Sequence, residues 1–501
     1  MTATIQHSLR SLSQKKGGQW LHLKDRTVSG LSCDSRTVQP GDLFFAIPGT
    51  KCNGATFIPE AITRGCVGVV AENPHPAIPK KIPQWIVSDV RRTLAETVRH
   101  FYHFPDKALK IYAITGTNGK TTTAYLLQYL LSAERMAGYI GTLFYDTGYQ
   151  RYPALTTTPD AIRLQQLLHE IVEQGTQVAA LELSSHALDQ KRAYGLAIDT
   201  AIFTNLTEDH LEYHGGREAY FDAKIRLFDG RNGSVPPYAI LNGDDPYGRR
   251  LQQHLNGLPS KIYTYGFSEN VHVRAHSIEQ RHHRTFFDLT IQGRTWSVES
   301  PLLGTYNVMN VLASLTALWV HHRLDQAALE RLKAFPGVPG RTQIITSDHD
   351  VLSMVDYAHT ADALEKILTM LKALCRGRLL LVFGCGGCRD RSKRPQMMRI
   401  AQQWADVIWA TSDNPRTESQ EQIFSDMEKG LLEKHSTIHW ITDRREAIGQ
   451  AVNAAQAQDI ILVAGKGHET YQEIGTKRFP FDDAEVLRQE LCRKFADAAS
   501  M

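Results

Sequence analysis

The segment Gly116-Thr117-Asn118-Gly119-Lys120-Thr121 lies between the apolar run KIYAIT (110–115) and the helical stretch TTTAYLLQYLL (121–131). A strand that enters a helix through a Gly-rich turn aims backbone N–H groups and the helix N-terminus at anionic ligands, so this segment predicts a phosphate-binding α/β layer. Lys120 can reach outer phosphates and the Thr121 hydroxyl can ligate Mg²⁺, which makes residues 116–122 (Gly116, Thr117, Asn118, Gly119, Lys120, Thr121 and Thr122) candidates for nucleotide binding. The generic Walker pattern is incomplete, because the position of its first Gly holds Ile114. A Gly-rich turn with an incidental lysine is the alternative on these residues alone.

The remaining chain alternates strand-like and helix-like periods. Ahead of the loop, strands are expected at 41–47 and 66–71, with helices near 57–63 and 91–102. After it come the apolar strands QVAALEL and TAIFTNL and a helix within 307–320, ending at the Pro-Gly steps of AFPGVPGR. Farther on, RLLLVFG, ADVIWATS, TIHWIT and DIILVAG alternate with helical stretches, the pattern of an open parallel sheet whose ligands sit beyond the carboxyl ends of its strands. A chain of 501 residues fits about three domains, with boundaries expected at 1–89, 90–335 and 336–501. Fifty-six Lys and Arg against 53 Asp and Glu give no global basic field, so neither nucleic acid nor an anionic membrane surface is an expected partner. No apolar run approaches membrane-spanning length, and seven scattered cysteines do not form a secreted disulfide framework, so a cytoplasmic location is expected. Cys385 and Cys388 form a C-x-x-C without a second pair, which reads as two free thiols in a Gly-rich turn.

Three further segments concentrate polar chemistry: Glu182 to His186, Thr204 to Gly215, and Tyr220 to Lys224. Two follow apolar strands, so their polar ends can converge on the phosphate loop. Together with Asp34-Ser35-Arg36, Gly41 to Phe44, Thr156 to Asp160, Gly304 to Asn310, Pro339-Gly340-Arg341, Asp356 to His359, Asp413-Asn414-Pro415-Arg416 and Gly465 to Glu469, they resemble, in order and over nearly the whole chain, the Mur ligase family. Within it they resemble the members that add the third residue of the peptidoglycan stem peptide.

The resemblance implies a small N-terminal α/β module for a uridine nucleotide, a central P-loop ATPase domain and a C-terminal Rossmann-like acceptor domain. It implies ATP-dependent amide-bond formation through an acyl phosphate, in cytoplasmic synthesis of peptidoglycan precursors by a monomer. Mg²⁺ would be held by Thr121 and Glu182, and a second ion by His210 with a carbamate on Lys224, where CO₂ turns a cation into an anion. Lys120, Glu182, His210 and Lys224 are thus the implied catalytic set, and Asn307, Arg341 and Asp356 join the ATP site. The UDP-linked muramoyl dipeptide is assigned Cys33, Ser35, Thr50, Lys51, Cys52, Thr156, Thr157, Thr158, Ser184, Gln190 and Arg192. For Asp34 and Arg36 a turn-stabilising pair and a ligand role stand equal, and Gln190 has an equally good structural role.

The acceptor is implied by DNPR, a form that resembles the diaminopimelate-adding members. Diaminopimelate differs from lysine by a carboxylate beside its distal amine, and the Arg416 fork suits that group. Arg389, Asp413, Asn414, Pro415, Gly465 and Glu469 complete the implied pocket, with Glu469 set to pair the distal amine. One departure stands in this region: Cys388 occupies a position where the family commonly has Asp, which removes an orienting carboxylate from the side of Arg389. Lysine-adding ligases and folylpolyglutamate synthase are the nearest alternatives, and a P-loop kinase, a GTPase or a non-catalytic binding module are the more distant ones.

Overall fold

The computed structural model describes residues 5–14, 16–49, 52–133, 136–281, 283–345, 350–432 and 437–499. Its chain forms two compact units, 1–274 with 309–324, and 275–308 with 325–501.

The first unit opens with a five-stranded sheet in the order Gln19–Leu21, Gln84–Ile86, Gly68–Ala71, Asp42–Phe45, Gly30–Ser32, parallel except at the first pairing. Asp42–Phe45 is buried at every position, as a strand covered on both faces must be. Phe44 and Val69 pack on one side with Ile58 and Ala61 of helix Ile58–Thr63; Leu43, Phe45 and Val70 pack on the other with helix Val90–Phe101. That second helix buries Val90, Leu94, Val98 and Phe101 at helical spacing and is capped by Asp89, whose carboxylate accepts from Arg92 N.

The larger sheet of this unit has a parallel core in the order Gly138–Ile140, Val178–Glu182, Lys110–Thr115, Thr200–Phe203, Tyr238–Asn242, Lys261–Gly266. Lys110–Thr115 lies between strands that come later in the chain. The connections therefore diverge from it, and the crevice at its carboxyl end is where such sheets bind ligands. Register places Ile114 opposite both Glu182 and Ile202, so the ends of three strands open together at residue 116.

In the second unit a six-stranded sheet runs Gln343–Ile345, Leu352–Asp356, Ile460–Ala464, Leu379–Phe383, Val407–Ala410, Thr437–Trp440, parallel after its first pairing. Leu379, Leu381 and Phe383 face helices Ala361–Leu374, Lys393–Trp404 and Gln420–Glu428; Leu380 and Val382 face helix Arg444–Ala454 and Val486, Leu487 and Leu491 of helix Asp483–Ala499. The carboxyl ends of these parallel strands carry Asp356, Gly384, Thr411 and Gly465 into loops on one side. Strands Arg284–Ile291 and Arg294–Ser300 form an antiparallel hairpin. Among the described residues no helix is long and apolar enough to cross a membrane.

Candidate active site

The phosphate loop is tied down from one side by residues 204–207. Thr204 Oγ1 donates to Asn118 O (2.6 Å), Asn118 N to Asn205 Oδ1 (2.9 Å), Thr117 N to Asn205 O (2.9 Å), and Thr207 N to Thr117 Oγ1 (3.0 Å). Gly116 (φ +149°) and Gly119 (φ +85°) hold backbone positions that L side chains rarely adopt, and a Cβ there would collide with Thr204 Oγ1 and Asn310 Oδ1 respectively. Lys120 begins helix Lys120–Leu131, and its ammonium donates to Gly116 O (3.0 Å) and Thr117 O (2.8 Å).

Glu182 ends its strand fully buried, and its carboxylate accepts from Tyr139 Oη (2.6 Å), Thr142 N (2.9 Å), Thr142 Oγ1 (3.0 Å) and Thr121 Oγ1 (2.8 Å). The Thr121 hydroxyl and a carboxylate oxygen of Glu182 thus stand within ligand spacing of one another. Two hard oxygen donors at the start of a phosphate-binding helix fit Mg²⁺.

Lys224, on helix Arg217–Ile225, is buried, donates to Gly116 O (2.8 Å) and lies 4.3 Å above the Tyr220 ring. Burial, and next the charge of Lys120, push its amine well below the usual lysine range. His210 is held at φ +54° with its ring 4.7 Å from His186 and 6.2 Å from Tyr220. Burial lowers it to about 4 against the opposing pull of Asp209, whose Oδ2 lies 3.3 Å from Nε2, so its imidazole is neutral, the form in which a ring nitrogen can be offered to a cation. The structure brings Lys120, Lys224, His210, Thr121 and Glu182 to one end of one sheet.

Of the residues assigned to the UDP-linked precursor, Cys33, Thr156, Gln190 and Arg192 line one cavity of about 310 Å³. Burial pushes the Cys33 thiol up to about 12, which leaves it a neutral wall. Arg192 donates to Gln190 Oε1 (2.8 Å) and Thr158 O (2.7 Å), so Gln190 orients the guanidinium. Thr158 is buried and donates to Glu182 O (2.7 Å), the Thr157 hydroxyl lies 3.1 Å from Thr142 Oγ1, and Ser184 caps helix Ser185–Asp189. Ser35 donates to Glu60 Oε2 (2.6 Å), leaving its lone pairs for a ligand donor. Asp34 and Arg36 pair with each other across an exposed turn, the local role open at sequence level. Cys52 is exposed, while Thr50 and Lys51 lie outside the described residues.

In the second unit Asp356 is half-buried and accepts from Thr342 N (2.6 Å) and Ala358 N (2.8 Å); loss of hydration raises its carboxyl, opposed by Arg341. Arg341 lies 4.4 Å over the Tyr357 ring, and Asn307 Nδ2 donates to Leu303 O (2.8 Å). Gly340 (φ +64°) meets Gly467 and His468 so closely that a Cβ on it would overlap the His468 backbone, and one on Gly467 would sit 2.7 Å from Gly340 O. Arg416, at φ +52°, donates through Nε to Glu473 Oε2 (3.0 Å) and through Nη1 to Gly387 O (2.9 Å). A Cβ on Gly386 would lie 3.3 Å from Arg416 Nη1 and 3.7 Å from Arg389 Cγ, so both side chains border the same glycine. Asn414 donates to Glu469 Oε2 (2.7 Å), Asp413 is buried, and Gly465 (φ +117°) leaves no room for a side chain beside Asp413 Oδ2. Pro415 O lies where a Cβ on Gly387 would go. Cys388 turns its thiol to Thr417 Oγ1 (3.1 Å), and its amide N–H is held by Glu418 Oε2 (2.9 Å).

Family models match in sequence order along the chain: "Mur ligase family, catalytic domain" at 27–102, "Mur ligase middle domain" at 114–318 and "Mur ligase, glutamate ligase domain" at 340–467. A UDP-N-acetylmuramoyl-L-alanyl-D-glutamate–2,6-diaminopimelate ligase of Gloeobacter violaceus is 41% identical over 97% of this chain and 98% of its own. The chain belongs to the Mur ligase family. The Aquifex aeolicus protein of the same name is 39% identical over 93% of this Mur ligase and 94% of its own length. A solved structure of such a ligase has a TM-score of 0.68 at 38% identity, covering 94% and 96% of the two chains. A folylpolyglutamate synthase from Mycobacterium tuberculosis has a TM-score of 0.60 at 15% identity over 81% of this chain and 95% of its own, a likeness of fold alone.

In this Mur ligase several site residues had no sequence signal strong enough to name them. Tyr139 and Thr142 reach Glu182 only because strand pairing sets Ile140 beside Leu181. Lys466, inside the quoted Gly465 to Glu469 motif, is fully buried and donates to Asn414 Oδ1 (3.1 Å) and Glu469 Oε2 (3.2 Å). Glu469 therefore already has two donors, and a distal ammonium would share it with Lys466. The signal for Lys466 was its place between two glycines, whose missing side chains let the ammonium be enclosed.

Proposed function

We propose that this protein joins 2,6-diaminopimelate to UDP-N-acetylmuramoyl-L-alanyl-D-glutamate, using ATP. A free carboxylate is a poor acyl donor, so the γ-phosphate is transferred to it first, giving an acyl phosphate and ADP. The incoming amine attacks that carbonyl, a tetrahedral intermediate forms, and inorganic phosphate leaves as the amide is made. Residues 116–122 cradle the ATP phosphates and Lys120 places a point charge on the outer ones. Asn307, Arg341 and Asp356 are assigned to the nucleotide by family resemblance. Thr121 and Glu182 would hold one Mg²⁺, and His210 with Lys224 a second; bound there, Mg²⁺ supplies neutralisation of the phosphate oxygens. Lys224 prepares for this with a neutral amine, whose lone pair adds to CO₂ and, on losing a proton to solvent, becomes a carbamate anion. Thr157, Thr158, Ser184, Gln190 and Arg192 hold the muramoyl dipeptide, and the Ser35 region holds the uridine end.

Segments 1–89, 90–335 and 336–501 serve as precursor, ATP and acceptor domains of a cytoplasmic monomer. The observation that carries the acceptor assignment is Arg416 beside Arg389 at Gly386, a pair of side chains suited to a carboxylate that lysine lacks. The near-full-length likeness to proteins named for this reaction supports the rest. The deciding assay supplies ATP and the UDP-muramoyl dipeptide with diaminopimelate, lysine or no amine, and identifies the product by mass. Phosphate release dependent on diaminopimelate is expected. Release without any amine would return the chain to the kinase or GTPase class, and equal use of lysine would remove the acceptor assignment.

A further inference from the structure

The cavity that holds Cys33, Gln190 and Arg192 carries more positive charge than those assignments use. Arg91, Arg163 and Lys191 line it too, with Asp160 as the lining carboxylate. Arg163 is matched by Glu170 (3.2 Å) and lies 4.6 Å over the Tyr152 ring, and Lys191 is paired with Asp89. Asp160 is committed to the first turn of helix Ala161–Glu173, accepting from Ile162 N (2.9 Å) and Arg163 N (3.0 Å). Asp160 keeps its charge and raises the Arg192 guanidinium, so two guanidiniums, those of Arg91 and Arg192, face one carboxylate and leave one positive charge in excess.

Arg192 is held by uncharged oxygens of Gln190 and Thr158. Arg91 has one hydrogen bond among the described residues, from Nη2 to Pro48 O (3.0 Å), and no ion-pair partner there. Its other N–H donors are available to the cavity. Arg91 also stands in the first turn of helix Val90–Phe101, where the helix dipole disfavours a cation; its neighbour Arg92 is offset by Glu96 (2.9 Å), and Arg91 is not. Burial lowers the Arg192 guanidinium, Asp160 raises it and Arg91 lowers it, which places Arg91 within electrostatic reach of Arg192. Around this charge the walls are apolar, with Ile47, Leu94, Tyr145 and Pro159.

We propose that Arg91 is a second anion-binding residue of this cavity, facing Arg192 and binding a negatively charged group of the precursor, either its diphosphate or a carboxylate of its dipeptide. The assignment rests on the reading of the chain as a ligase of a UDP-linked precursor. Arg91 acts on affinity for that one substrate and touches no reacting atom.

The test compares the full-length wild type with Arg91→Ala and Arg91→Lys, in steady-state kinetics and in calorimetric binding of UDP and of UDP-N-acetylmuramoyl-L-alanyl-D-glutamate. For Arg91→Ala the KM for the precursor is expected to rise about tenfold or more, with KM for ATP and diaminopimelate within about twofold; Arg91→Lys should recover part of the loss. Weakened UDP binding identifies the diphosphate as the anion, whereas unchanged UDP binding with weakened precursor binding identifies the dipeptide carboxylate. A precursor KM and Kd within about twofold of wild type in a folded Arg91→Ala protein would overturn the assignment. A wild type that binds no UDP precursor overturns the functional reading itself, and this assignment with it.

Discussion

Replacing Arg416 by Ala tests its proposed role in acceptor selection, because the backbone that carries it does not depend on its side chain. Arg416 N donates to Glu473 O (3.0 Å) and Gly475 N to Arg416 O (2.7 Å), and both bonds survive the substitution. The left-handed φ of +52° strains Arg and Ala alike, by about 1 kcal/mol, so it cancels between the two proteins. What disappears is a side chain 22% exposed, whose guanidinium is shared with Glu473 and Gly387 O. A charge-assisted hydrogen bond contributes about 1.5–3 kcal/mol, and partial exposure and competition from Glu473 favour the lower half. About 2 kcal/mol at about 1.36 kcal/mol per decade gives a fall of roughly 30-fold in kcat/KM for diaminopimelate, expressed mainly in KM. Lysine has no distal carboxylate to lose, so its kcat/KM should change by less than about threefold, and the KM for ATP should hold. Arg416→Lys, which keeps charge without the fork, should fall between. Parallel kinetics with both amines read this directly. An equal fractional loss for the two would refute the reasoning and make Arg416 a support of the fold or of the reaction centre.

Lys120→Ala should reduce ligation by about 10²-fold or more while precursor affinity by calorimetry stays near wild type, since only the outer phosphates lose a charge. Lys224→Ala should lose most activity and regain part of it with a small carboxylic acid such as formate; full activity without rescue, together with a wild-type Lys224 of unmodified mass, would remove the carbamate. Glu418 is held at about 2 instead of 4.5, chiefly by Arg394. Its depressed carboxyl stabilises the fold fully above its unfolded value and loses that contribution as pH falls from about 4.5 toward 2, so the Tm deficit of Glu418→Gln should be complete near neutrality and shrink over that window. A Tm deficit constant down to pH of about 2.5 would refute it.

The sequence located the phosphate strand and its helix well because KIYAIT, two glycines and the helical period beyond them point the same way; the observed strand is Lys110–Thr115 and the helix Lys120–Leu131. Strand Leu352–Asp356 went unread: its burial rests on pairing with Ile460–Ala464, which no local pattern reports. The hairpin strand Arg284–Ile291 alternates buried Thr285, Phe287, Leu289 and Ile291 with residues turned outward, a period of two that was present but diluted by charged neighbours. At the site, motif order pointed to Lys224 and His210, while the four donors on Glu182 come from three residues in two segments, Thr121 and the stretch from Tyr139 to Thr142, and exist only once the strands are in register. Asp34 and Arg36 pair across the turn because a two-residue separation lets the guanidinium fold back onto the capping carboxylate.

The contact of Gly340 with Gly467 and His468 joins two motifs that are far apart along the chain and have different proposed duties, one beside Arg341, proposed for ATP, and one beside Glu469, proposed for the acceptor. With no side chain between them, there is no soft atom to absorb an error. A methyl group added to either glycine displaces both backbones at once, and a second substitution elsewhere cannot restore the lost space. The two motifs therefore form one unit of mutational tolerance: in a library randomised at both positions, active variants should be confined to Gly at each, and neither position should drift while the other stays fixed.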